Sequence, residues 1–252
     1  MICAIILARN EENNIISCLN TLKFCREIII IDDYSTDKTL NKVNAWKDKK
    51  YPTVRIYKRK LNGNFAAQRN FALTKAKSDW CLFVDADERV GKHLEIEILG
   101  QLGKSHKRQG YFISRRDNFM GKQLKFGETA SVRLLRLGKK SAGRWQGRVH
   151  EVWLIEKKVN TLKNPIDHYP HPDISSFLNK INYYSSLVAQ YWIEQGRSIS
   201  IWEIIIYPAA KFLHNYFIKL GFLDQTPGLV MAVMMSFHSF LSRCKVYLNK
   251  SE

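Results

Sequence analysis

The chain has 252 residues, of which 45% are hydrophobic and 25% charged, enough for one large domain or for one domain with an extension. This charged share is ordinary for globular proteins and excludes wholesale disorder. The 40 Lys and Arg exceed the 23 Asp and Glu, giving a net charge of +17. Such a charge predicts anionic partners, which include nucleic acid, anionic lipid and phosphorylated small molecules.

The five cysteines predict neither a disulfide framework nor a structural zinc site, because their number is odd and no pair has a CxxC spacing. A reducing compartment is therefore expected. The N-terminus lacks the basic segment and the longer apolar segment of a signal peptide. The longest purely apolar runs, such as 229–235, are far below the roughly 20 residues needed to cross a bilayer, so we predict no transmembrane segment.

The first hundred residues alternate apolar strand patterns with helical patterns. Strands are predicted at 2–7, 27–31, 53–57 and 80–84, and the intervening helices include 65–76 and 93–102. This alternation is typical of a parallel, doubly wound sheet, whose ligands bind beyond the carboxyl ends of the strands. Polar clusters follow three of these strands, at 8–14, 32–33 and 85–87.

The rest of the chain divides into a basic middle and a nearly neutral helical tail. Residues 104–163 hold 16 basic and four acidic residues, a local net charge of +12, and include predicted strands at 110–114 and 131–137. Residues 173–252 hold seven basic and five acidic residues. Helices are predicted there at 174–195, 201–220 and 229–248. Pro208 is expected to interrupt the second helix, and Thr226-Pro227-Gly228 is expected to act as a helix breaker before the third.

Asp85 and Asp87, directly after a buried strand, are the strongest local signal of a functional site. Two carboxylates one residue apart at a strand end can hold a hard divalent cation and the phosphate oxygens that it neutralises. An isolated Asp-x-Asp is more often a solvated turn, but the position in an α/β sheet favours the metal site. His168 is a further candidate for the metal shell or the diphosphate, the alternative being a loop histidine with satisfied hydrogen bonds.

The other two clusters offer groups for a nucleotide. Asp33 can accept from the imide N–H of a base or from ribose hydroxyls, while an Asx turn is the structural alternative. The segment Ala8-Arg9-Asn10-Glu11 leaves the first strand and can line the same pocket with backbone groups, Ala8, Asn10 and Glu11 being the candidate binding residues. Arg69, one turn into a helix, can contact a diphosphate or a base, and a solvated helical arginine is the alternative.

These segments together resemble the family 2 glycosyltransferases, which have the GT-A nucleotide-diphospho-sugar transferase fold. The matching segments are Ile5-Ile6-Leu7-Ala8-Arg9-Asn10-Glu11, Ile30-Ile31-Asp32-Asp33-Tyr34-Ser35-Thr36-Asp37, Ala67-Gln68-Arg69-Asn70 and Phe83-Val84-Asp85-Ala86-Asp87-Glu88. The resemblance implies that Asp33 holds the uracil, that Arg69 contacts the nucleotide, and that Asp87, with Asp85, binds Mg²⁺ or Mn²⁺ on the diphosphate. Many members have Pro-Thr-Tyr-Asn where this chain has Leu7-Ala8-Arg9-Asn10, which provides no aromatic ring for the base.

Further segments resemble the bacterial lipopolysaccharide-core glucosyltransferases, which add a β-1,4-linked glucose to the first heptose. They are 133–136, 147–151, 166–169 and the aromatic tail pattern between Phe212 and Leu229. The resemblance implies an α/β fold with a Rossmann-like, mostly parallel sheet and a C-terminal helical extension. The expected domains are 1–170, with a nucleotide-binding half (1–103) and an acceptor half (104–170), and 171–252. Arg133 is expected on the acceptor or the diphosphate.

An inverting sugar transfer needs a base that takes the proton of the acceptor hydroxyl. Glu151 is the candidate that matches the family pattern. The structural alternative for Glu151 is a surface ion pair with Arg148 or Arg144. Asp117 and Glu128 are reserve candidates for the base.

The resemblance implies UDP-glucose as the donor and the heptose of a lipid-linked inner core as the acceptor, with a polyprenyl phosphate or another surface polysaccharide as the alternative. A basic nucleic-acid-binding protein would interleave aromatic residues with its basic stretch, but the aromatic residues gather in the neutral tail, so no nucleic acid is expected. A basic face beside an aromatic helical tail predicts a cytoplasmic protein that is peripheral on the anionic inner face of the bacterial cytoplasmic membrane. A homodimer interface is the alternative use of the tail.

Overall fold

The computed structural model describes residues 1–47, 52–102, 108–130, 132–148, 151–156 and 158–249. The chain forms two compact units. The first consists of Met1–Arg115 and Arg133–His168, and the second of Arg116–Val132 and Tyr169–Glu252. Residues 116–132, which the sequence assigns to the acceptor half, therefore group with the C-terminal helices. The expected boundary between the two halves, at 103/104, lies outside the described residues.

The strands form one mixed sheet and a separate hairpin. They are β1 (Ile2–Ala8), β2 (Glu27–Asp32), β3 (Thr53–Lys58), β4 (Trp80–Phe83), β5 (Glu88–Arg89), β6 (Gly110–Phe119), β7 (Lys122–Gln123), β8 (Arg133–Lys139), β9 (Gly143–Gln146), β10 (Val152–Ile155), β11 (Val159–Thr161) and β12 (Ile166–His168). The sheet order is β3-β2-β1-β4-β8-β6-β12-β5, with β7 and β11 on β6. The pairs β1–β2, β2–β3 and β1–β4 are parallel, which confirms the predicted fold class, and β8 is antiparallel to β4 and β6.

The core of the first unit lies on both faces of the parallel strands. Four helices accompany them: α1 (Ile15–Thr21), α2 (Thr39–Lys47), α3 (Phe65–Lys75) and α4 (Lys92–Leu102). Alternate residues of β1 enter two different apolar clusters, so Ile6 packs in the cluster of Leu19 and Ile5 in that of Ala72. Burial on both faces explains why β1 and β2 are continuous apolar runs in the sequence.

Two tryptophans fix the β9–β10 hairpin against the end of β4. The rings of Trp145 and Trp153 stack with centroids 5.5 Å apart, and both meet Phe83 edge-on at 4.9 and 5.1 Å. Glu151 directly precedes β10. The packing of the hairpin therefore determines where this carboxylate lies.

The second unit is dominated by three helices, α5 (Ile174–Glu194), α6 (Ile201–Leu213) and α7 (Gln225–Leu248). A π-helical turn, His214–Ile218, and a 3₁₀ turn, Gly221–Asp224, join α6 to α7. Asp173 caps α5 by accepting from the amide of Ser176, and Ser200 and Glu203 form a capping box at the start of α6.

The prediction that Thr226-Pro227-Gly228 acts as a helix breaker is wrong, because these residues lie in the first turns of α7. A proline is tolerated there because the first backbone N–H groups of a helix have no intrahelical acceptor. Gly228 packs against the preceding turn so closely that a Cβ would lie 2.0 Å from the carbonyl oxygen of Gly221. Pro208 is likewise inside α6 rather than at an interruption.

One helical stretch of the described residues, Gly221–Leu248, is long and apolar enough to cross a membrane, judged by length and composition alone. Polar residues such as Ser236 and His238 interrupt this stretch, so the prediction of no transmembrane segment, which rests on unbroken apolar runs, does not take it into account. Core helices of water-soluble proteins meet the same criteria. Met231 and Met234 of this stretch pack into an apolar cluster with Phe177 and Ile181 of α5.

Candidate active site

Two of the three predicted polar clusters form one wall at the carboxyl ends of β1 and β2. The amide of Asp33 donates to the carbonyl of Ala8 at 2.8 Å. Asn10, in the left-handed region at φ 55°, donates its amide to Ser35 Oγ at 3.0 Å, and its side chain accepts from the amide of Thr36 at 2.8 Å. The loop after β1 is therefore bound to the loop after β2.

The carboxylate of Asp33 lies within this wall. Its Oδ1 accepts from the amide of Leu61 at 2.9 Å, and its Oδ2 pairs with Arg9 Nη1 at 2.9 Å. Arg9 stands in the family motif, where the sequence predicts a contribution from its backbone but not this ion pair of its side chain. Glu11 makes hydrogen bonds within the protein: its amide donates to Thr39 Oγ1 at 2.8 Å, and its side chain accepts from Asn14.

Asp85, after β4, is held by two arginines. Arg136 faces it with a two-pronged contact, Nη1 to Oδ1 at 3.3 Å and Nη2 to Oδ2, and Arg69 Nη2 reaches Oδ1 at 3.2 Å. Burial raises the pKa of Asp85, but the charges of Arg136 and Arg69 outweigh burial and hold that pKa well below its usual range. Asp85 is thus an ionised carboxylate whose charge is balanced by guanidinium groups.

Glu88 extends this network into the core. It is fully buried, its Oε2 accepts from the amide of Asp85 at 2.8 Å, and its Oε1 lies 3.3 Å from Arg136 Nη2. Burial raises the pKa of Glu88 despite the opposing charge of Arg136. Arg133, the residue predicted to contact the acceptor or the diphosphate, is exposed at the start of β8, whereas Arg136, which had no predicted role, is only 4% exposed. The available signal was an arginine inside an apolar run, because a buried arginine needs acidic partners.

Arg69 also binds Glu151, the predicted base. Its Nε lies 2.7 Å from Glu151 Oε1, and its guanidinium carbon lies 4.7 Å from the ring centre of Trp145 and 5.4 Å from that of Phe83. The ion pair that the structure shows for Glu151 is therefore with Arg69, a partner that the sequence pattern did not indicate. Val149 and His150, which belong to the same sequence motif, lie outside the described residues.

We call the series Glu151–Arg69–Asp85–Arg136–Glu88 the arginine network. Two of its donors, Arg69 Nη1 and Arg136 Nε, are buried and have no hydrogen-bond acceptor among the described residues. Buried polar groups are normally satisfied, so each unsatisfied donor calls for an explanation. An anionic oxygen from a ligand would satisfy donors of this kind.

Asp87 and His168 form a second pair beside the network. The antiparallel pairing of β5 and β12 places His168 opposite Glu88, and His168 Nε2 lies 3.5 Å from Asp87 Oδ1. A carboxylate and an imidazole are ligands that divalent metals such as Mn²⁺ accept. No group of three or more His, Cys, Asp or Glu side chains poised for a metal occurs within the described ranges. The residues therefore fit an ion that takes its remaining ligands from a diphosphate and water, as Mg²⁺ often does.

The reserve candidates for the base both belong to the second unit. Glu128 Oε2 accepts from Lys211 Nζ and from Asn215 Nδ2, each at 2.7 Å. Asp117 is buried, and its carbonyl accepts from the amide of Leu124 at 2.8 Å. Glu128 is thus engaged in an ion pair with α6.

Comparison with known proteins identifies the family of the chain. The model of the family "Glycosyl transferase family 2" matches residues 3–161. The lipopolysaccharide core biosynthesis glycosyltransferase LpsC of Rhizobium meliloti is 30% identical over 247 residues, which cover 97% of this chain and 91% of LpsC.

Solved structures share the fold at low sequence identity. S. aureus TarS 1–349 in complex with UDP-GlcNAc has a TM-score of 0.53 and 15% identity, covering 97% of this chain and 88% of TarS 1–349. The mannosyltransferase PcManGT of Pyrobaculum calidifontis, in complex with GDP-Man and Mn²⁺, has a TM-score of 0.52 and 12% identity, covering 100% of this chain and 88% of PcManGT. The chain belongs to glycosyltransferase family 2 and is a glycosyltransferase with the GT-A fold.

Proposed function

We propose that this glycosyltransferase acts in lipopolysaccharide core biosynthesis, moving glucose from UDP-glucose onto the heptose of a lipid-linked inner core with inversion at the anomeric carbon. The similarity to LpsC, which extends over nearly the whole of both chains, supports the choice of pathway. The observation that carries the chemistry is the pair of buried, unsatisfied donors of Arg69 and Arg136 beside Asp85 and Asp87. A nucleoside diphosphate supplies the oxygens that such donors require.

On the donor side, the wall of Ala8, Asn10 and Asp33 holds the nucleoside, and Arg69 holds the diphosphate. Asp33 accepts from the imide of the uracil, and Glu11 supports the wall through its contact with Thr39. The nucleotides carried by the fold neighbours, UDP-GlcNAc on TarS and GDP-Man on PcManGT, support a nucleotide sugar as the donor.

Asp87 and His168, with Asp85 nearby, are the residues that would hold Mg²⁺ or Mn²⁺. The Mn²⁺ of PcManGT supports this choice of cofactor. A bound divalent ion neutralises the negative charge that develops on the departing diphosphate. Arg69 and Arg136, which their carboxylate partners already orient, would offer hydrogen-bond donors to the diphosphate in the same place with little rearrangement during the reaction.

Glu151 is the proposed base. The acceptor hydroxyl oxygen forms a bond to the anomeric carbon as the bond from that carbon to the diphosphate oxygen breaks, and the hydroxyl proton passes to the Glu151 carboxylate. Arg69 orients this carboxylate through the 2.7 Å contact between Nε and Oε1. One arginine thus links the diphosphate side of the site to the base.

The acceptor places the enzyme at a membrane. A nucleotide sugar is soluble in the cytoplasm, whereas a core oligosaccharide is held by its lipid, so the proposed location is the inner face of the cytoplasmic membrane, without crossing it. The net charge of +17 favours an anionic surface. Arg133, exposed at the start of β8, is available to the acceptor or to the diphosphate.

The test is a donor and acceptor screen read by the mass of the product. UDP-glucose, UDP-GlcNAc and GDP-mannose are each offered with lipid A–core, with polyprenyl phosphate and with no acceptor, in the presence of Mn²⁺. We expect one hexose to be added to the lipid A–core from UDP-glucose, and product on polyprenyl phosphate alone would contradict the acceptor. Asp87→Ala should abolish both transfer and Mn²⁺-dependent UDP binding, and unchanged UDP affinity in that variant would overturn the assignment of the site.

A further inference from the structure

Helix α6 and the π turn after it expose an apolar surface. We define the α6 ridge as Trp202, Ile205, Ile206, Leu213, Phe217 and Ile218, whose exposed fractions range from 51% to 72%. The first four lie at positions i, i+3, i+4 and i+11, which is one face of a helix. A contiguous exposed patch of this kind marks a surface that meets another apolar phase.

The opposite face of α6 is fixed within the second unit. Ile204 and Pro208 are buried there, and Ser236 Oγ of α7 donates to the carbonyl of Pro208 at 2.7 Å. The helix has 13 residues, or about 20 Å at 1.5 Å per residue, which is shorter than the roughly 30 Å hydrocarbon core of a bilayer. α6 therefore has the geometry of a helix that lies on a surface rather than one that crosses it.

The charges around the ridge select its partner. Between residues 197 and 219 the only acidic residue is Glu203, which pairs with Arg197 at 3.6 Å, whereas Lys219 is exposed. Around the ridge, Arg197, Lys211 and Lys219 outnumber Glu203, and this local excess of positive charge favours an anionic lipid surface over a second copy of the same face. Trp202 is also typical of the membrane interface, where its amphipathic ring sits at the level of the headgroups.

We propose that the α6 ridge inserts in the plane of an anionic lipid bilayer, between the headgroups and the acyl chains. This inference rests on the proposed function, which requires a lipid-linked acceptor, and it names the element that enters the membrane. Insertion is assigned to α6 and not to α7, although α7 has the length to span, because Met231 and Met234 of α7 pack in the core of the second unit.

Helix α6 and the turn after it also contact the loop 124–128, which follows β7. The carbonyl of Lys219 accepts from the amide of Gly127 at 2.9 Å, and Lys211 binds Glu128. A ridge lying in the bilayer therefore holds the loop 124–128 at the membrane surface. The loop belongs to the stretch that the sequence assigns to the acceptor.

The experiment is flotation of the full-length protein with vesicles of phosphatidylcholine and phosphatidylglycerol, at low salt and at about 1 M salt, where charge attraction is screened to about 3 Å. The variant is Ile205→Glu with Ile206→Glu. The matched control is Ile96→Glu with Leu99→Glu on α4, which adds the same two charges at exposed apolar positions that are 58% and 44% exposed. We expect the wild type and the control to remain bound to the vesicles at high salt. The partition coefficient of the α6 variant onto vesicles should fall by at least about tenfold under the same conditions.

Equal binding of the α6 variant and the control at high salt would overturn the proposal. So would a wild type that is dimeric without lipid and becomes monomeric on α6 substitution, since the ridge would then be a dimer interface. Slow hydrolysis of UDP-glucose without vesicles, together with the thermal midpoint, checks that each variant is folded. Absence of hydrolysis in the wild type would contradict the proposed function alone, because flotation needs no sugar transfer.

Discussion

Each unit of this protein contains a carboxylate that several hydrogen bonds hold in place, but the two units use different partners. In the first unit, Asp85 is held by the side chains of Arg69 and Arg136, which retain unsatisfied donors. In the second unit, Asp224, 2% exposed, is held by the backbone amides of Lys125 and Phe126, each at 2.9 Å. The unsatisfied donors of Arg69 and Arg136 leave hydrogen-bonding capacity for an anion, whereas each of these two amides already has its acceptor. The first arrangement suits a binding site, and the second suits a permanent joint between segments.

The largest expected effect comes from removing the arginine that neutralises two carboxylates at once. Arg136→Met leaves Asp85 and Glu88 without their shared partner, and breaking a buried ion pair by deleting one member costs about 3–5 kcal/mol. Urea unfolding measures this loss. The control is Arg133→Met, three residues earlier on the exposed start of β8, which should change stability by less than about 0.5 kcal/mol. Equal stability of the two variants would show that the network is not needed for folding.

The second effect is kinetic. Glu151→Gln keeps the size of the side chain and its ability to accept from Arg69, but an amide cannot take up the acceptor proton. We expect kcat to fall by at least about a hundredfold while UDP affinity is preserved. The control is Glu156→Gln, an exposed glutamate just after β10. Near-normal turnover in Glu151→Gln would move the search for the base to Asp117.

The third prediction concerns the joint in the second unit. Asp224→Ala removes the acceptor of the Lys125 and Phe126 amides, and because hydrogen bonds to a charged group contribute about 1.5–3 kcal/mol, we expect a loss of that size. Asp224→Asn retains one oxygen and should lie between the wild type and Asp224→Ala. If the loop 124–128 serves the acceptor, transfer to lipid A–core should fall while hydrolysis of UDP-glucose without acceptor persists. An equal loss of transfer and of hydrolysis would argue against a role of this loop that is specific to the acceptor.

The sequence predicted most where local pattern decides the structure. The predicted strands at 2–7, 27–31, 53–57 and 80–84 each end within one residue of β1 to β4, because burial on both faces produces a continuous apolar run. The motif residues Asp33, Arg69, Asp85 and Asp87 could be named because they follow those strands. Their roles remain proposals.

The rest depended on contacts between residues distant in the chain. Arg136 meets Asp85 because β8 pairs with β4 across 51 residues of sequence, and no local pattern specifies that pairing. By local composition Pro227 and Gly228 predict a helix breaker. Within α7, however, position 228 requires glycine because the carbonyl oxygen of Gly221 lies too close for a Cβ. In both cases, tertiary packing decides what local composition leaves open.

The smallest expected effect belongs to Glu27, a buried carboxylate of the first unit that combines both kinds of partner. It accepts from the amides of Lys77 at 2.9 Å and Ser78 at 2.6 Å, and it pairs with Arg55. Burial raises the pKa of Glu27, but the hydrogen bonds from Ser78 and the charge of Arg55 outweigh it, so that the pKa is lowered.

A lowered pKa in the folded state means that Glu27 stabilises the protein above the pKa of an unfolded glutamate, roughly 4.3, and that this stabilisation is lost as the pH falls through the folded value. Glu27→Gln should therefore cost about 1 kcal/mol at pH 7, because Arg55 is partly exposed and its pairing is screened. The gap between wild type and variant should narrow below roughly pH 4. Urea unfolding at pH 7, 5, 4 and 3 measures this difference in the free energy of unfolding. A difference that stays constant over this range would mean that the hydrogen bonds from the backbone amides of Lys77 and Ser78, which the side-chain oxygen of a glutamine can also accept, stabilise the protein without help from the charge.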